Sequence, residues 1–359
     1  MDRRRRLIVG AACAAPWWAL AQVDRSGPYA TVLPGRVLQF PRDFGAHPAF
    51  RVEWWYATGC LQAGTRELGF QITFFQVRQA EFDANPSAFA PRHLLLAHAA
   101  VADPAVGHLL HAQKSARAGF GLAFADTADC ALRLDDWGMR RDEAGYHLTV
   151  AAADFSYALL LKPEQPALLQ GRAGFSQKAP DPAHASYYYS LPQLAVSGRV
   201  ELRRTAAAVR GLAWMDHEWS SAYMPPAAVG WDWTGINLHD GGALMAFRMR
   251  DAAGQAVWAA ASWRGADGKI EQYGPDALRF EPQRRWTSPL SGADYPVAIK
   301  VHVGTRVLAL LPLFDNQEMD AGASVGGYYW EGAVRVLEGG RETGRGYLEL
   351  TGYAERLRM

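Results

Sequence analysis

The residues best suited to acid–base chemistry lie in one short segment of the sequence, Trp214–Ser221. In this segment Asp216, His217 and Glu218 follow one another between tryptophans. Successive side chains of an extended strand point to opposite faces, so Asp216 and Glu218 share one face, and His217 and Trp219 share the other. A carboxyl group beside an indole is shielded from water, which raises its pKa and suits it to act as a general acid.

Aromatic residues recur in four segments of the chain, and three of these segments also carry acids. Aromatic residues at strand spacing usually fill a core, but their recurrence beside acids favours convergence on one lined cavity. By the same alternation, Glu53 and Trp55 share a strand face opposite Trp54 and Tyr56, and Trp231 and Trp233 face away from Asp232. The candidate catalytic residues are Asp216, His217, Glu53 and Asp232, and the candidate ligand-binding residues are Trp54, Trp55, Tyr56, Tyr187, Tyr189, Trp214, Trp219, Trp231, Trp233, Trp330 and Glu331.

The elements that would position these residues have the pattern of β-strands. Apolar and polar residues alternate in Tyr146–Val150 and in Phe70–Phe74, and the alternation resumes out of phase at Phe75, which predicts a bulge between Phe74 and Phe75. Short helices are predicted only around residues 87–89 and 315–321. Further strands are predicted over residues 242–249, 257–263, 297–303, 307–311, 328–337 and 346–353. Many short strands with glycine-rich turns favour an all-β architecture of sandwiches or barrels.

Length and composition indicate a folded protein of two domains. The chain has 359 residues, and a domain holds about 150 residues. Charged residues make up 20% and apolar residues 49% of the chain, the balance of a globular protein. A break in the pattern near residues 190–210 places the boundary between an N-terminal domain of residues 22–200 and a C-terminal domain of residues 201–359.

The first 21 residues have the pattern of a signal for export. Arg3–Arg6 form a basic start, Leu7–Leu20 is apolar, and Ala19–Ala21 is a cleavage site, so the mature chain is expected to begin at Gln22 in the periplasm. The arginines also resemble a twin-arginine signal, so the route of export stays open. Cleavage lowers the count of Lys and Arg from 37 to 33 and that of Asp and Glu from 36 to 35, a net charge of −2. Because no basic block remains, we expect no binding to nucleic acid.

Motifs for other chemistries are missing from the sequence. It contains no G-x-S-x-G for a serine hydrolase, no glycine-rich nucleotide loop and no H-E-x-x-H for zinc. No spacing rule for a metal is met by the residues with suitable ligand atoms, which are Asp216, His217, Glu218, His239 and Asp240. We therefore expect neither a metal nor a cofactor.

The mature chain has two cysteines, Cys60 and Cys130. In an oxidising compartment they could form a disulfide, or they could remain two buried thiols. Spacing alone does not decide between these states, because a disulfide requires the two Cα atoms to lie close together.

These motifs resemble those of the AttH/CrtC family of carotenoid 1,2-hydratase-like proteins. Its members carry segments of the types E-W-W-Y, W-x-D-H-E-W and G-W-D-W, which correspond here to Glu53–Tyr56, Trp214–Trp219 and Gly230–Trp233. The resemblance continues through residues 174–178, 185–190, 329–332 and 346–353, and so covers nearly the whole mature chain. It implies two lipocalin-like antiparallel β-barrel halves packed together. It also implies kinship with enzymes that add water to an isoprenoid double bond without a cofactor.

The Asp-His-Glu-Trp form of the second motif is closer to the AttH branch than to the carotenoid enzymes, in which Asn is more usual at the position of Glu218. AttH-like proteins are described as secreted hydrolases and are often associated with ABC transporters of the lipoprotein-release type. We therefore expect an exported protein that binds an apolar, isoprenoid or lipid-like molecule and contacts the membrane surface transiently.

Two functions remain open for such a protein. One is hydro-lyase chemistry, in which Asp216 protonates an alkene and His217 orients or receives a proton. The other is that of a non-catalytic, lipid-binding carrier that serves an AttEFGH-like ABC transporter. A purely structural interaction protein, the third class, would have no closed apolar cavity.

Overall fold

The computed structural model describes residues 28–324 and 326–356. The predicted export signal and its cleavage site lie outside these residues. The described part consists of two antiparallel sheets and three single-turn 3-10 helices, at Arg42–Phe44, Ala80–Phe82 and Pro275–Ala277. The predicted all-β class is confirmed. None of the helices in this part of the chain is long and apolar enough to span a membrane.

The first sheet has 13 strands. They are β1 (Val52–Ala63), β2 (Arg66–Arg78), β3 (His93–Ala102), β4 (Leu110–Arg117), β5 (Ala123–Ala125), β6 (Ala131–Leu134), β7 (Trp137–Asp142), β8 (Gly145–Ala151), β9 (Phe155–Pro163), β10 (Leu168–Leu169), β11 (Phe175–Gln177), β12 (Ala185–Leu202) and β13 (Thr205–Ala222). Their order is β4-β3-β2-β1-β13-β12-β9-β8-β7-β6-β5, and β10 and β11 pair with β12. A bridge between Gly119 and Ala123 joins the two ends of this path. The sheet is therefore a nearly closed barrel.

The second sheet has 10 strands. They are β14 (Gly230–Leu238), β15 (Ala243–Arg250), β16 (Ala256–Arg264), β17 (Ile270–Tyr273), β18 (Leu278–Thr287), β19 (Asp294–Val303), β20 (Arg306–Pro312), β21 (Glu318–Asp320), β22 (Tyr328–Glu338) and β23 (Arg341–Leu350). Their order is β17-β16-β15-β14-β23-β22-β20-β19-β18, and β21 pairs with β22. The predicted pair of lipocalin-like halves therefore corresponds to one curled sheet each.

The chain passes from the first sheet to the second between Ala222 and Gly230. The boundary predicted between residues 200 and 201 falls inside β12, which continues into a hairpin with β13. Arg203 and Arg204 both have positive φ, of 47° and 69°. Two such residues form the tight turn that joins antiparallel strands. The break in the sequence pattern is thus a hairpin turn, and the change of sheet comes later.

Apolar side chains pack in three large clusters and in a fourth, small one that contains Leu109, Met319 and Tyr329. One cluster, with Trp55, Phe70 and Trp219, fills the first barrel, and another, with Tyr295 and Trp330, fills the second. A third lies between the two sheets and is built from their outer faces, with members such as Tyr56, Trp214, Trp233 and Tyr347. Strands β1, β13, β14 and β23 are therefore buried on both faces.

Two local predictions were wrong. The β2 strand pairs with β1 and with β3 without a register shift at Phe74 or Phe75, so there is no bulge. Both residues are apolar because Phe74 lies in the barrel core while Phe75 faces the second sheet. The helices expected around residues 87–89 and 315–321 do not form, since the first segment is irregular and the second contains β21.

Candidate functional site

A pocket lies between the two sheets and encloses about 800 Å³ of space, part of it open to solvent. Its lining is mainly aromatic and acidic. The lining residues are Trp54, Tyr56, Thr73, Phe75, His98, Lys178, Asp216, Glu218, Tyr223, Trp231, Trp233, Phe247, Met249, Tyr329, Glu331, Glu349 and Thr351. Trp54 and Trp231 are only half-buried, so the pocket opens beside these two indoles. A concave, mainly aromatic lining with a few polar groups is typical of small-molecule sites.

Strand alternation decides which residues reach the pocket, as the sequence predicted. On β13, Asp216 and Glu218 line it, and on β14, Trp231 and Trp233 do so. The intervening residues point into the barrels. Tyr56 and Trp233 meet edge to face across the gap, with ring centroids 5.2 Å apart. The lining therefore comes from the outer faces of both barrels and from neither barrel interior.

Asp216 is the most strongly hydrogen-bonded carboxylate of the pocket. One oxygen accepts from the Ser190 hydroxyl at 2.5 Å and from the Trp214 indole N–H at 2.7 Å, and the other accepts from the Tyr188 hydroxyl at 2.6 Å. Burial raises the pKa of Asp216 to about 7, although these three hydrogen bonds oppose the change. Near neutral pH the carboxyl group can therefore both donate and accept a proton, as general acid–base catalysis requires.

Glu331 and Glu349 form a second acidic group on the opposite wall. They are directly opposite one another on β22 and β23, which places their side chains on the same face. Glu331 accepts from the Tyr56 hydroxyl, and burial together with the charge of Glu349 raises the pKa of Glu331 well above its usual range. Burial likewise raises the pKa of Glu349 to about 7, and within the described part of the chain its one hydrogen bond comes from the Trp231 indole at 3.1 Å.

The pocket also holds an ion pair. The Lys178 ammonium lies 2.7 Å from Glu218, which also accepts from the Ser186 hydroxyl. The same ammonium lies over the ring of Phe247, 4.3 Å from its centroid. Glu218 is therefore neutralised by its neighbour, whereas Asp216 and Glu349 have no cationic partner in the described residues.

The reverse face of β1 and β13 carries a chain of buried polar groups inside the first barrel. Glu53 accepts from His47 and from His217, both at 2.7 Å, and His47 also contacts Asp43 at 3.0 Å. Tyr189 contacts the other ring nitrogen of His217 at 3.0 Å. Burial lowers the pKa of His217. Burial has the same tendency for His47, but the charges of Glu53 and Asp43 and the hydrogen bonds to them together outweigh it and raise the pKa of His47.

These buried polar groups include the one group of described residues whose geometry could hold a metal ion. Ligand atoms of His47, Glu53 and His217 lie within 4.8 Å of one another. Two histidines and a carboxylate are a known ligand set for iron and zinc. These atoms are already engaged in hydrogen bonds with one another, so an ion would have to displace those bonds.

The structure thus divides the predicted site residues among three places. Trp54, Tyr56, Asp216, Trp231, Trp233 and Glu331 line the pocket, and Trp214 borders it through its hydrogen bond to Asp216. Glu53, Trp55, Tyr187, Tyr189, His217 and Trp219 face the core of the first barrel. Trp330 lies in the core of the second barrel.

Asp232 also faces away from the pocket. Its carboxylate pairs with Arg248 at 2.7 Å and with Arg250 at 2.8 Å, and it accepts from the Tyr353 hydroxyl at 3.0 Å. The prediction that Asp232 points away from Trp231 and Trp233 is correct. Its carboxylate does not line this pocket, because it is engaged with Arg248 and Arg250 on the other side of the sheet.

Sequence reasoning missed Glu349 and Lys178. Glu349 occupies a strand position between Leu348 and Leu350, both fully buried, and a carboxylate in such a run was the available signal. Lys178 precedes β12 in a loop, where no spacing rule indicates its direction.

The two cysteines are free thiols. Burial raises the pKa of Cys60 to about 12. Cys130 belongs to the core of the first barrel, whereas Cys60 packs against the cluster between the two sheets.

The chain is similar to a protein family and to proteins of known structure. A family model described as AttH-like matches residues 31–353. The solved structure of an AttH candidate from Nitrosomonas europaea is 49% identical, with a TM-score of 0.85, and the match covers 90% of this chain and 99% of that one. Kievitone hydratase from Nectria haematococca shares the fold at 13% identity, with a TM-score of 0.66, over 90% of this chain and 95% of that one. A search of curated proteins gave no match.

Proposed function

The chain belongs to the AttH-like family, and on that premise we propose that it is an exported protein that binds an apolar, isoprenoid or lipid-like molecule and adds water to one of its double bonds. The observation that carries the proposal is the pairing of two carboxyl groups, Asp216 and Glu349, with indole faces in one pocket. Both groups have a pKa of about 7, close to the value at which a side chain works best as acid or base at neutral pH.

The reaction needs one proton donor and one proton acceptor. Protonated Asp216 gives its proton to one alkene carbon, and the π electrons form the new C–H bond. The other carbon becomes a cation, which the faces of Trp231 and Trp233 stabilise. Water attacks this carbon, and its surplus proton passes to ionised Glu349. Exchange of protons with solvent restores both carboxyl groups, and the net change is alkene plus water to alcohol.

His217 has no part in this scheme, because it lies on the reverse face of β13 in the barrel core. Glu331 supports it indirectly. Burial and the charge of Glu349 raise its pKa well above the usual range, which favours the uncharged form of Glu331 and so reduces the negative charge beside Glu349.

The experiment uses geranylgeraniol as a probe in deuterium oxide. Binding is followed by quenching of tryptophan emission, because the indole rings of Trp54, Trp231 and Trp233 line the pocket. Turnover is followed by mass spectrometry of the alcohol product, which gains one carbon-bound deuterium. Asp216→Asn and Glu349→Gln are each expected to lower turnover by roughly 10²–10⁴-fold and to leave affinity nearly unchanged.

The matched control is Asp154→Asn, because Asp154 is an exposed aspartate in the turn between β8 and β9 of the first sheet. Its turnover should equal that of the parental protein. Undiminished turnover in stable Asp216→Asn and Glu349→Gln variants would refute the assignment of acid and base. Absence of saturable binding by the parental protein would refute the pocket as the site.

One observation favours a second function, that of a lipid carrier for an ABC transporter of the lipoprotein-release type. Asp216 already accepts three hydrogen bonds, as expected of a structural acceptor. Saturable binding of geranylgeraniol without deuterium incorporation would support the carrier over the hydratase.

A further inference from the structure

Four large apolar side chains are exposed together at one edge of the first barrel. Phe89, Phe120, Leu122 and Phe124 are 62%, 55%, 47% and 46% exposed. The rings of Phe89 and Phe120 stack with their centroids 5.1 Å apart. We call these four residues the aromatic edge patch. Grouped exposure of this kind marks an interaction surface, unlike single exposed apolar residues.

The backbone holds Phe120 outward. It has a φ of 57° and lies between Gly119 and Gly121, which have φ of 99° and 71°. A bulky side chain rarely adopts this left-handed conformation. Three successive residues of positive φ make a sharp turn, and the turn presents the Phe120 ring away from the barrel core.

Arginines surround the patch. The Arg117 guanidinium lies 4.8 Å from the ring centre of Phe89 and 4.6 Å from that of Phe120, and it donates to the Phe89 carbonyl at 3.1 Å. Arg133 lies 5.9 Å from the ring centre of Phe124 and donates to the Gly121 carbonyl.

The two guanidinium groups donate hydrogen bonds to the backbone. Among residues 28–324 and 326–356, neither Arg117 nor Arg133 forms an ion pair with a carboxylate. Their hydrogen bonds go to backbone carbonyls, which carry no net charge. The patch therefore combines exposed apolar rings with two guanidinium groups that form no ion pair, although the charge of Arg133 also acts on Asp135.

We propose that the aromatic edge patch docks on the surface of an anionic phospholipid membrane. Aromatic rings partition into the boundary between headgroups and acyl chains. Arginines beside them are attracted to anionic lipids by about 1 kcal/mol each. A protein partner would be expected to meet the arginines with carboxylates at fixed positions, whereas an anionic lipid surface needs no fixed geometry.

The patch lies at the same end of the sheet as the opening of the pocket. Ala118, next to the glycine turn, donates to His93 at the start of β3, and His93 pairs with Arg78 at the end of β2. Three residues back along β2, about 10 Å at the usual rise per residue, Phe75 lines the pocket beside Trp54. A docked molecule would thus hold its pocket near the membrane. The docking itself does not depend on what the pocket binds.

The test measures sedimentation of the full chain with vesicles. One set contains equal parts of phosphatidylcholine and phosphatidylglycerol, and the other contains phosphatidylcholine alone. Binding should be stronger on the anionic set and should weaken with added salt. Phe120→Ser/Phe124→Ser should lower the partition coefficient at least about tenfold, since two rings no longer leave water. Leu290→Ser/Leu311→Ser removes two similarly exposed apolar side chains, one from the turn between β18 and β19 and one from β20, and should leave the partition coefficient unchanged.

Hydrogen exchange locates the contact. Protection on addition of anionic vesicles is expected at residues 86–92 and 117–125. Protection confined to residues 1–27 would show that the N-terminal segment binds the lipid and would overturn the proposal. Equal loss of binding in both double variants, or none in the first, would also overturn it. So would sedimentation velocity showing that the patch joins two copies of the chain, with a dimer that Phe120→Ser/Phe124→Ser converts to a monomer.

Discussion

Replacing Asp216 by Asn should change the stability of the protein in opposite directions at low and high pH. An unfolded aspartate has a pKa of 3.8, whereas burial raises the pKa of Asp216 in the folded protein to about 7. Between these values the folded state binds more protons than the unfolded state, so its stability falls as pH rises. From pH 5 to pH 8 the loss is about 2–3 kcal/mol in the parental protein.

An asparagine at position 216 does not ionise, so its contribution to stability does not depend on pH. The substitution does lose a hydrogen bond. Its amide group cannot accept from Tyr188 and from Ser190 and Trp214 at once, as the two carboxylate oxygens do. The cost is about 1–3 kcal/mol. Asp216→Asn should therefore be destabilising at pH 5, and at pH 8 it should be close to neutral or stabilising.

Urea unfolding at both pH values measures the effect, with Asp154→Asn as the exposed control. The difference between parental and variant free energies of unfolding should shift by about 2–3 kcal/mol across this interval for Asp216→Asn. It should stay constant for the control. A constant difference for Asp216→Asn would mean that the carboxyl group ionises freely in the folded protein, and the assignment of a neutral acid in the pocket would be refuted.

Three other outcomes can be measured. Asp232→Asn should lower the free energy of unfolding by about 3–5 kcal/mol, because its two arginine partners are left buried without a counter-charge; a urea titration showing less than about 1 kcal/mol would contradict the pairing. Burial alone would raise the pKa of Asp43, but hydrogen bonds from His47 and a backbone N–H hold it at about 2, so His47→Gln should move acid unfolding, followed by circular dichroism, to higher pH, and an unchanged midpoint would count against this. Sequencing of the periplasmic protein should find Gln22 at its N-terminus, and an intact chain confined to the cytoplasm would contradict export.

The sequence predicted which residues share a face, but not which face would form the pocket. Alternation correctly separated Asp216 from His217, because a strand has a period of two. It did not assign the faces, because β13 is buried on both sides and aromatic residues occur on each. The resemblance to the AttH/CrtC family supplied the two halves of the fold. The position of the pocket between their outer faces depends on how the two sheets pack, which no local pattern encodes.

The role of Glu349 could not be predicted either, because it depends on contacts with distant parts of the sequence. Its own strand was predicted within a few positions, but its importance depends on Trp231 from β14 and on Glu331 from β22. These contacts join residues far apart in the sequence, so spacing within one segment could not reveal them.

The buried hydrogen bonds among His47, Glu53 and His217 have a consequence for the register in which β1 and β13 pair. Slippage of β13 by one residue against β1 would exchange its two faces. Asp216 would then enter the barrel core, and His217 would leave Glu53 without its hydrogen bond. A misaligned pair of β1 and β13 would bury unpaired charge, at a cost of several kcal/mol, although its hydrophobic residues on either face would pack almost as well. The buried hydrogen bonds among His47, Glu53 and His217 thus specify the register of β1 and β13. They destabilise mispaired intermediates that apolar packing alone would tolerate.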